Sequence, residues 1–362
     1  MKLNVQNLKD FASGATFLGT GGGGDPYIGR LMLEQALLRN GRLNIIELDD
    51  VADDALAVSV AMMGAPTVLL EKFPNGSEAE NCLRAMEMEL GRPIDAIIPA
   101  EIGGFNSAIP LVLAAQTGIP VINADGMGRA FPELQMVTYS AYGASISPCV
   151  MTNERGDFVT IKSKCNLTTE MLARSVVMQM GGSAQICCYP MEGRFIKKYA
   201  VPRTLDIVLD IGRAITAGRS KEDPFAELMS YLSGTEHYQY SKLLFDGKIV
   251  DLARQTNGGF TTGTAKLAEL NSSKASFEVV FQNENLVARS NGRTLAIVPD
   301  LICILDRETA EPITTEALAY GQRVKVMAVS APALLRSDAG LQAFGPKAFG
   351  IDEPFRPFES RE

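Results

Sequence analysis

The spacing of apolar residues divides the chain into helical and strand-like stretches. A first helix is predicted at about Val5–Ser13, and the short apolar segment ATFLG after it breaks into the glycine run Gly21–Gly24. Ile28, Leu31, Met32 and Leu38 recur at near-helical intervals, so a second helix runs from about Tyr27 to Asn40. Asp25 suits its N-cap, Pro26 its first turn and Gly41 its end. Strands are expected at about Asn44–Glu47 and Ala57–Met63, and a helix at about Glu78–Leu90. IDAIIPA reads as a buried strand and EIGGFNS as the loop beyond it. A helix then continues to about Gln116, before the strand IPVINAD. Strand, loop, helix, strand in that order is a βαβ unit and implies a parallel sheet. Such sheets bind ligands beyond the carboxyl ends of their strands, where Glu101–Gly104 and Asn123–Gly126 fall.

The pattern changes from about Asp157. DFVTIKS and QICCYPM read as strands, while TTEMLARSVVMQMGG and RTLDIVLDIGRAITAG read as helices ended by Gly181 and Gly218. From about Tyr240, short strands separated by turn signals predict a β-rich region, with Asp246–Gly247 and Thr261–Thr264 as hairpin chemistry. The expected class is α/β. A mostly parallel α/β domain at 1–165 carries the glycine-rich loops. A C-terminal α+β region at 166–362 ends in a small β-barrel or sandwich-like domain.

Composition narrows the partners. Apolar residues are 46% of the chain and charged residues 21%, which suits a full globular core and not a disordered chain. A net charge of −8, with no basic run longer than two residues, argues against nucleic-acid and membrane-surface partners. No segment has the ~20 uninterrupted apolar residues of a membrane helix, and the start of the chain lacks the apolar stretch of a signal peptide. A cytoplasmic protein is expected. Six scattered cysteines suit buried thiols in a reducing compartment. The single histidine, His237, excludes a zinc site with two or three His ligands from one chain, and its polar surroundings predict a surface loop.

Three segments hold candidate chemistry. In GTGGGGDP, Thr20, Gly21, Gly22, Gly23, Gly24 and Asp25 form a loop whose backbone N–H groups could converge on an anion at a helix start. A sharp connection without a ligand is the plainer alternative. No GK[ST] follows, so the loop is not a P-loop. In EIGGFNS, Glu101 is a candidate base and Gly103, Gly104 and Asn106 candidate binding residues; otherwise Glu101 is a solvated loop residue and Asn106 or Ser107 a helix cap. In NADGMGRAFPELQM, Asn123, Asp125, Gly126, Arg129 and Glu133 crowd a glycine-rich strand end, with Arg129 suited to clamping a carboxylate. Asp125, Arg129 and Glu133 would also make an ion-pair ladder on a helix, but two glycines and a proline interrupt one. Cys149 is a candidate nucleophile, with a buried thiol the plainer reading.

These segments, GTGGGGDPY, PAEIGGFNS and INADGMGRAFPELQM, together with RTLDIVLDIGRAI, NGGFTTGTA and VPDLICILD, resemble the DUF917 family, also named after S-methyl thiohydantoin desulfurase. The resemblance covers nearly the whole chain. It implies hydrolysis of an S-methylated thiohydantoin ring, releasing methanethiol and leaving a hydantoin. It also implies a hydantoinase- or oxoprolinase-type protein partner. On that expectation Glu101 or Asp125 activates a water for attack on the ring carbon bearing sulfur, and the glycine loop and Arg129 hold an anionic tail or an oxyanion. Attack by Cys149 is a variant. The sequence leaves any cofactor unassigned. A metal held by Asp25, Glu101 and Asp125 lacks supporting ligand spacing. The alternative is a non-catalytic accessory subunit that binds a small ligand or nucleotide. A homo-oligomer is expected on general grounds.

Overall fold

The structure is a computed structural model that describes residues 3–24, 26–64, 68, 72, 74–221, 223–257 and 260–361. The chain forms two compact units that interleave in sequence. The first comprises Met1–Leu8, Gly24–Met127 and Glu133–Asp206; the second comprises Lys9–Gly23, Gly128–Pro132 and Ile207–Glu362.

Among the helices, α1 (Leu8–Gly19) lies almost wholly in the second unit. Helices α2 (Pro26–Asn40), α3 (Glu78–Leu90), α4 (Ile109–Thr117), α5 (Thr138–Ala141), α6 (Asn166–Gln179) and α7 (Gly193–Tyr199) belong to the first. Helices α8 (Thr204–Arg219), from Ile207 onward, and α9 (Pro224–Ser233) return to the second.

The first unit is built on a sheet of β1 (Ile45–Ile46), β2 (Leu56–Gly64), β3 (Ala96–Pro99), β4 (Val121–Ile122), β6 (Cys149–Thr152), β7 (Phe158–Ile161) and β8 (Ser183–Glu192). The order is β1-β4-β3-β2-β8-β6-β7. β1, β4, β3 and β2 run parallel, and β8, β6 and β7 add an antiparallel half, so the sheet is mixed. A short pair, β5 (Ala124–Asp125) with β9 (Val201–Pro202), stands beside it. β2 and β3 are buried along almost their whole length, as continuous apolar runs covered on both faces should be. Helix α3 buries Ala79, Cys82, Leu83 and Met86 at helical spacing and stops at Gly91, whose φ of 68° only glycine takes readily.

The second unit holds one antiparallel sheet of β10 (Ser241–Asn257), β11 (Phe260–Ala268), β12 (Phe277–Gln282), β13 (Glu284–Ser290), β14 (Arg293–Ile297), β15 (Leu301–Asp306) and β16 (Arg323–Val329), in the order β14-β13-β12-β11-β10-β16-β15. It curls into a half-barrel that brings β13 and β14 back towards β15. The core follows strand alternation: Phe277, Val279 and Phe281 of β12 face inward, and Glu278 and Val280 are less buried.

Three expectations change. The first helix does not stop at Ser13 but runs through ATFLG as α1, and the glycine run caps it. Thr20 N–H donates to Phe17 O (3.1 Å) and Gly22 N–H to Gly19 O (2.8 Å), while Thr20 and Gly21 take φ of 50° and 95°. Asp246–Gly247 and Thr261–Thr264 are not hairpin turns but lie inside β10 and β11. Gly247 falls between two register shifts of β10, where a Cβ would come 2.2 Å from Ala268 O, so the glycine serves a bulged, bending strand. Five of the six cysteines are buried as expected, whereas Cys165 is exposed at the start of α6. His237 is half-buried in the stretch between α9 and β10.

Candidate functional site

The residues singled out by sequence fall into two groups, one in each unit. In the first unit the loops after β3 and β4 run side by side. Gly126 N–H donates to Ala100 O at 3.1 Å, and Asn123 N–H to Ile46 O at 2.8 Å. These bonds carry Asp125 close enough to Glu101 for the charge of one to act on the other. Both stand at the carboxyl ends of parallel strands, as the βαβ pattern requires.

Glu101 is buried, with only 7% of its surface exposed. Asn106 Nδ2 donates to its Oε1 at 2.6 Å, and its Oε2 has no hydrogen-bond partner among the described residues. Asn106 is held by the end of β2: its Oδ1 accepts from Met62 N–H (2.7 Å) and its Nδ2 donates to Met62 O (3.0 Å). The turn Gly104–Ser107 presents it, closed by Ser107 Oγ donating to Gly104 O at 2.7 Å, with Gly103 as N-cap. Burial pushes the Glu101 carboxyl up to about 8; the Asn106 N–H pulls it down, and the Asp125 charge adds to the rise. Glu101 is therefore largely protonated at neutral pH. Asp125 is fully buried and its Oδ2 accepts from Met127 N–H at 3.0 Å.

Tyr139, on α5, completes the surroundings of Asp125. Its ring lies over Gly126, where a Cβ would come 2.8 Å from it, and its hydroxyl donates to Pro99 O at 3.3 Å. Burial raises its hydroxyl well above the usual phenol range and the Asp125 charge raises it further, so it stays a donor. Tyr189 meets the ring edge-on at 5.8 Å between centroids. Neither tyrosine stands in a sequence segment with a chemical signature.

Other members of this group bond or pack within the protein. Asn123 Nδ2 donates to both carboxylate oxygens of Glu47 (3.1 and 3.2 Å) and to Asp206 Oδ2 (2.9 Å), holding two acidic residues together. Glu133 is half-buried and accepts from Gln135 Nε2. Cys149 is buried on β6 one position beyond the Val150–Cys187 pair, which sets it against Cys188 on β8. The thiols of Cys82, Cys187 and Cys188 around it are held far above the ordinary range, chiefly by burial for Cys82 and Cys187 and by the bond with Cys149 for Cys188.

In the second unit the glycine segment is packed against side chains. A Cβ on Gly22 would come 2.0 Å from Glu284 Oε1, and one on Gly21 would come 2.8 Å from Thr315 Cγ2. Asn285 N–H donates to Thr20 O and Thr315 N–H to Gly21 O, both at 2.8 Å, pairing the segment like an extra strand. The carboxylate beside Gly22 disfavours a second anion there. Arg129 is fully buried with all its donors engaged. Nε bonds Ala130 O (3.1 Å), Nη1 bonds Pro299 O (2.9 Å) and Asp300 O (3.0 Å), and Nη2 bonds Thr20 Oγ1 (2.8 Å) and Asn285 O (3.5 Å). Burial lowers its guanidinium to about 10, with Glu284 opposing, so it remains a cation at neutral pH. The fork thus faces its own unit's carbonyls. Gly23 is half-buried on the same segment, and Gly24, counted with the first unit, faces Phe105 there. Asp25 lies outside the described residues.

Among the described residues no three His, Cys, Asp or Glu side chains stand together in a way that could hold a metal ion. None of the described helices is long and apolar enough to cross a membrane. What the first unit does offer is a buried carboxyl that holds its proton, with a second carboxyl close enough for its charge to act on it, an arrangement that acid–base chemistry can use.

The chain is similar over 98% of its length, and 99% of the other's, to a crystal structure of a protein from Chromobacterium violaceum, with a TM-score of 0.80 and 25% identity. No curated protein matches it. The model of the S-Me-THD-like N-terminal domain matches residues 6–163, and that of the S-Me-THD-like C-terminal domain matches residues 164–358. With those two matches spanning nearly every residue, the protein belongs to the S-Me-THD-like family, that of S-methyl thiohydantoin desulfurase.

Proposed function

We propose that this protein is a hydrolase of a small hydantoin- or thiohydantoin-like ring, with an S-methyl thiohydantoin as the leading substrate. One observation carries the reading: Glu101, buried and pushed up to about 8, stands beside Asp125 at the strand ends of the first unit. A buried carboxyl that keeps its proton, with a second carboxyl beside it, supports a division into an acid and a base. Family membership supports the substrate class.

The reaction balances with water alone. Water oxygen bonds to the ring carbon that carries the methylthio group, and the double bond from that carbon to ring nitrogen opens. The C–S bond then breaks with its electron pair on sulfur. Of the water's two protons, one ends on the ring nitrogen and the other balances the proton delivered to sulfur. The products are methanethiol and a hydantoin. A carboxylate assists the attack by accepting a proton from water.

The test is a thermal-shift screen against hydantoins, S-methyl thiohydantoins, 5-oxoproline and adenine nucleotides, with methanethiol release assayed on the thiohydantoins. The reading expects thiol release, lost in Glu101→Gln and Asp125→Asn proteins that still fold. Stabilisation by a ligand without turnover would replace it with a non-catalytic binding subunit.

A further inference from the structure

We infer that Glu101 is the acid of this reaction, delivering a proton from Oε2 to the departing sulfur, and that Asn106 is the positioning residue that selects this oxygen. The inference rests on the hydrolytic reading above and gives each oxygen of the carboxyl a separate task.

The selection follows from hydrogen-bond direction. Met62 N–H is a donor only, so the Asn106 atom 2.7 Å from it has to be the amide oxygen. Met62 O is an acceptor only, so the atom 3.0 Å from it has to be the amide nitrogen. The side chain is thereby fixed against a flip. Its second N–H points at Glu101 Oε1, 2.6 Å away. An oxygen already facing an N–H does not carry a proton in that direction. The carboxyl proton therefore sits on Oε2, the buried oxygen with no partner among the described residues.

A bare anionic oxygen in that buried position would lack a donor among the described residues, which is costly. A hydroxyl there needs an acceptor with a lone pair, and sulfur gaining an electron pair as the C–S bond breaks is one. Asp125 complements this. Its Oδ2 accepts from Met127 N–H at 3.0 Å, and in this division of roles it takes the proton of the attacking water. Two adjacent buried carboxyls resist being charged together, and the charge of Asp125 adds to the burial that raises Glu101.

The acid role predicts a dependence on the leaving group. Methanethiolate is a basic leaving group that needs a proton, whereas an S-aryl group leaves as a weakly basic thiolate. Glu101→Gln should lower kcat by ~10²–10⁴-fold on the S-methyl ring and by less than about tenfold on the S-aryl ring. The positioning role has its own signature. The infrared difference between wild type and Glu101→Gln should show a carboxylic-acid carbonyl band at pH 7 that fades as pH passes about 8. Asn106→Ala removes a donor that favours the charged form, so it should move that fading to higher pH and lower kcat with KM little changed. Equal losses on both rings overturn the acid role. A carboxylate signal in place of the acid band at pH 7 overturns the proton's location, even if thiol is released. An acid band with no turnover of any thiohydantoin overturns the hydrolytic reading and the acid role with it, while leaving the Asn106-selected proton established.

Discussion

Gly14 on α1 and Gly212 on α8 face each other with main chain against main chain. A Cβ on Gly14 would come 1.8 Å from Val208 O, and one on Gly212 would come 1.7 Å from Asp10 O. Neither helix has a flexible side chain at the contact that could step aside. Gly14→Ala and Gly212→Ala should each destabilise the protein by about 3 kcal/mol or more, despite alanine's better helix propensity. Urea denaturation checks this. A neutral or stabilising alanine at either position would show that the helices do not approach so closely.

Arg129 distinguishes a scaffold from a ligand clamp. Its Nη1 and Nη2 groups tie Thr20 to the carbonyls of Pro299, Asp300 and Asn285. Arg129→Lys keeps the charge but cannot reproduce the fork, and should destabilise by ~3–5 kcal/mol, as breaking a buried network does. Thermal melting and turnover of the variant at a temperature where it stays folded separate the two roles. Unchanged stability with a raised KM would return Arg129 to substrate binding.

Stability should depend on pH through Glu101. Its folded-state value lies above the ordinary 4.5, so the native protein holds a proton that the unfolded chain gives up. This contribution is full below pH 4.5, declines as pH climbs and is gone above about 8. Asp300 acts in the same direction but only up to about 6, since burial raises it despite its Arg336 partner. Between pH 6 and 8 the wild type should therefore lose a few kcal/mol that Glu101→Gln, neutral throughout, does not lose. Melting temperatures of the two proteins across that window test the sign, and parallel curves would contradict it.

Cys165 should be the reactive thiol. It is exposed, and N–H groups of Thr168 and Leu167 at the start of α6 lower it below the usual thiol range. The other five are buried. A chromogenic disulfide reagent should titrate one thiol quickly in native protein and six in urea. Cys165→Ser should abolish the fast phase without affecting methanethiol release.

What was legible in the sequence was what local spacing encodes. Helix α3 was marked at both ends by its apolar periodicity and Gly91, and the βαβ stretch placed Glu101 and Asp125 beyond strand ends, where they stand. The rest depends on partners far along the chain. The glycine run leads into α2 as expected, but it also closes α1 and packs far along the chain, Thr20 and Gly21 pairing with Asn285 and Thr315. Arg129 resembled a clamp because its carbonyl partners lie some 170 residues away. Asp246–Gly247 has the composition of a turn and the location of a bulge, a difference that only pairing with β16 and β11 decides. Tyr139 had no local mark at all.

The Gly14–Gly212 crossing also has a consequence for how the protein is made. Helix α1 leaves the ribosome nearly 200 residues before the helix it packs on. Until then its apolar residues Phe11, Ala15 and Leu18, all buried in the finished protein, have no permanent cover. The N-terminal segment therefore waits for the C-terminal half before it can settle, and a nascent chain stalled near residue 163 would hold an orphaned helix. Production of the protein should gain more from holdase chaperones and slow growth than its modest size suggests.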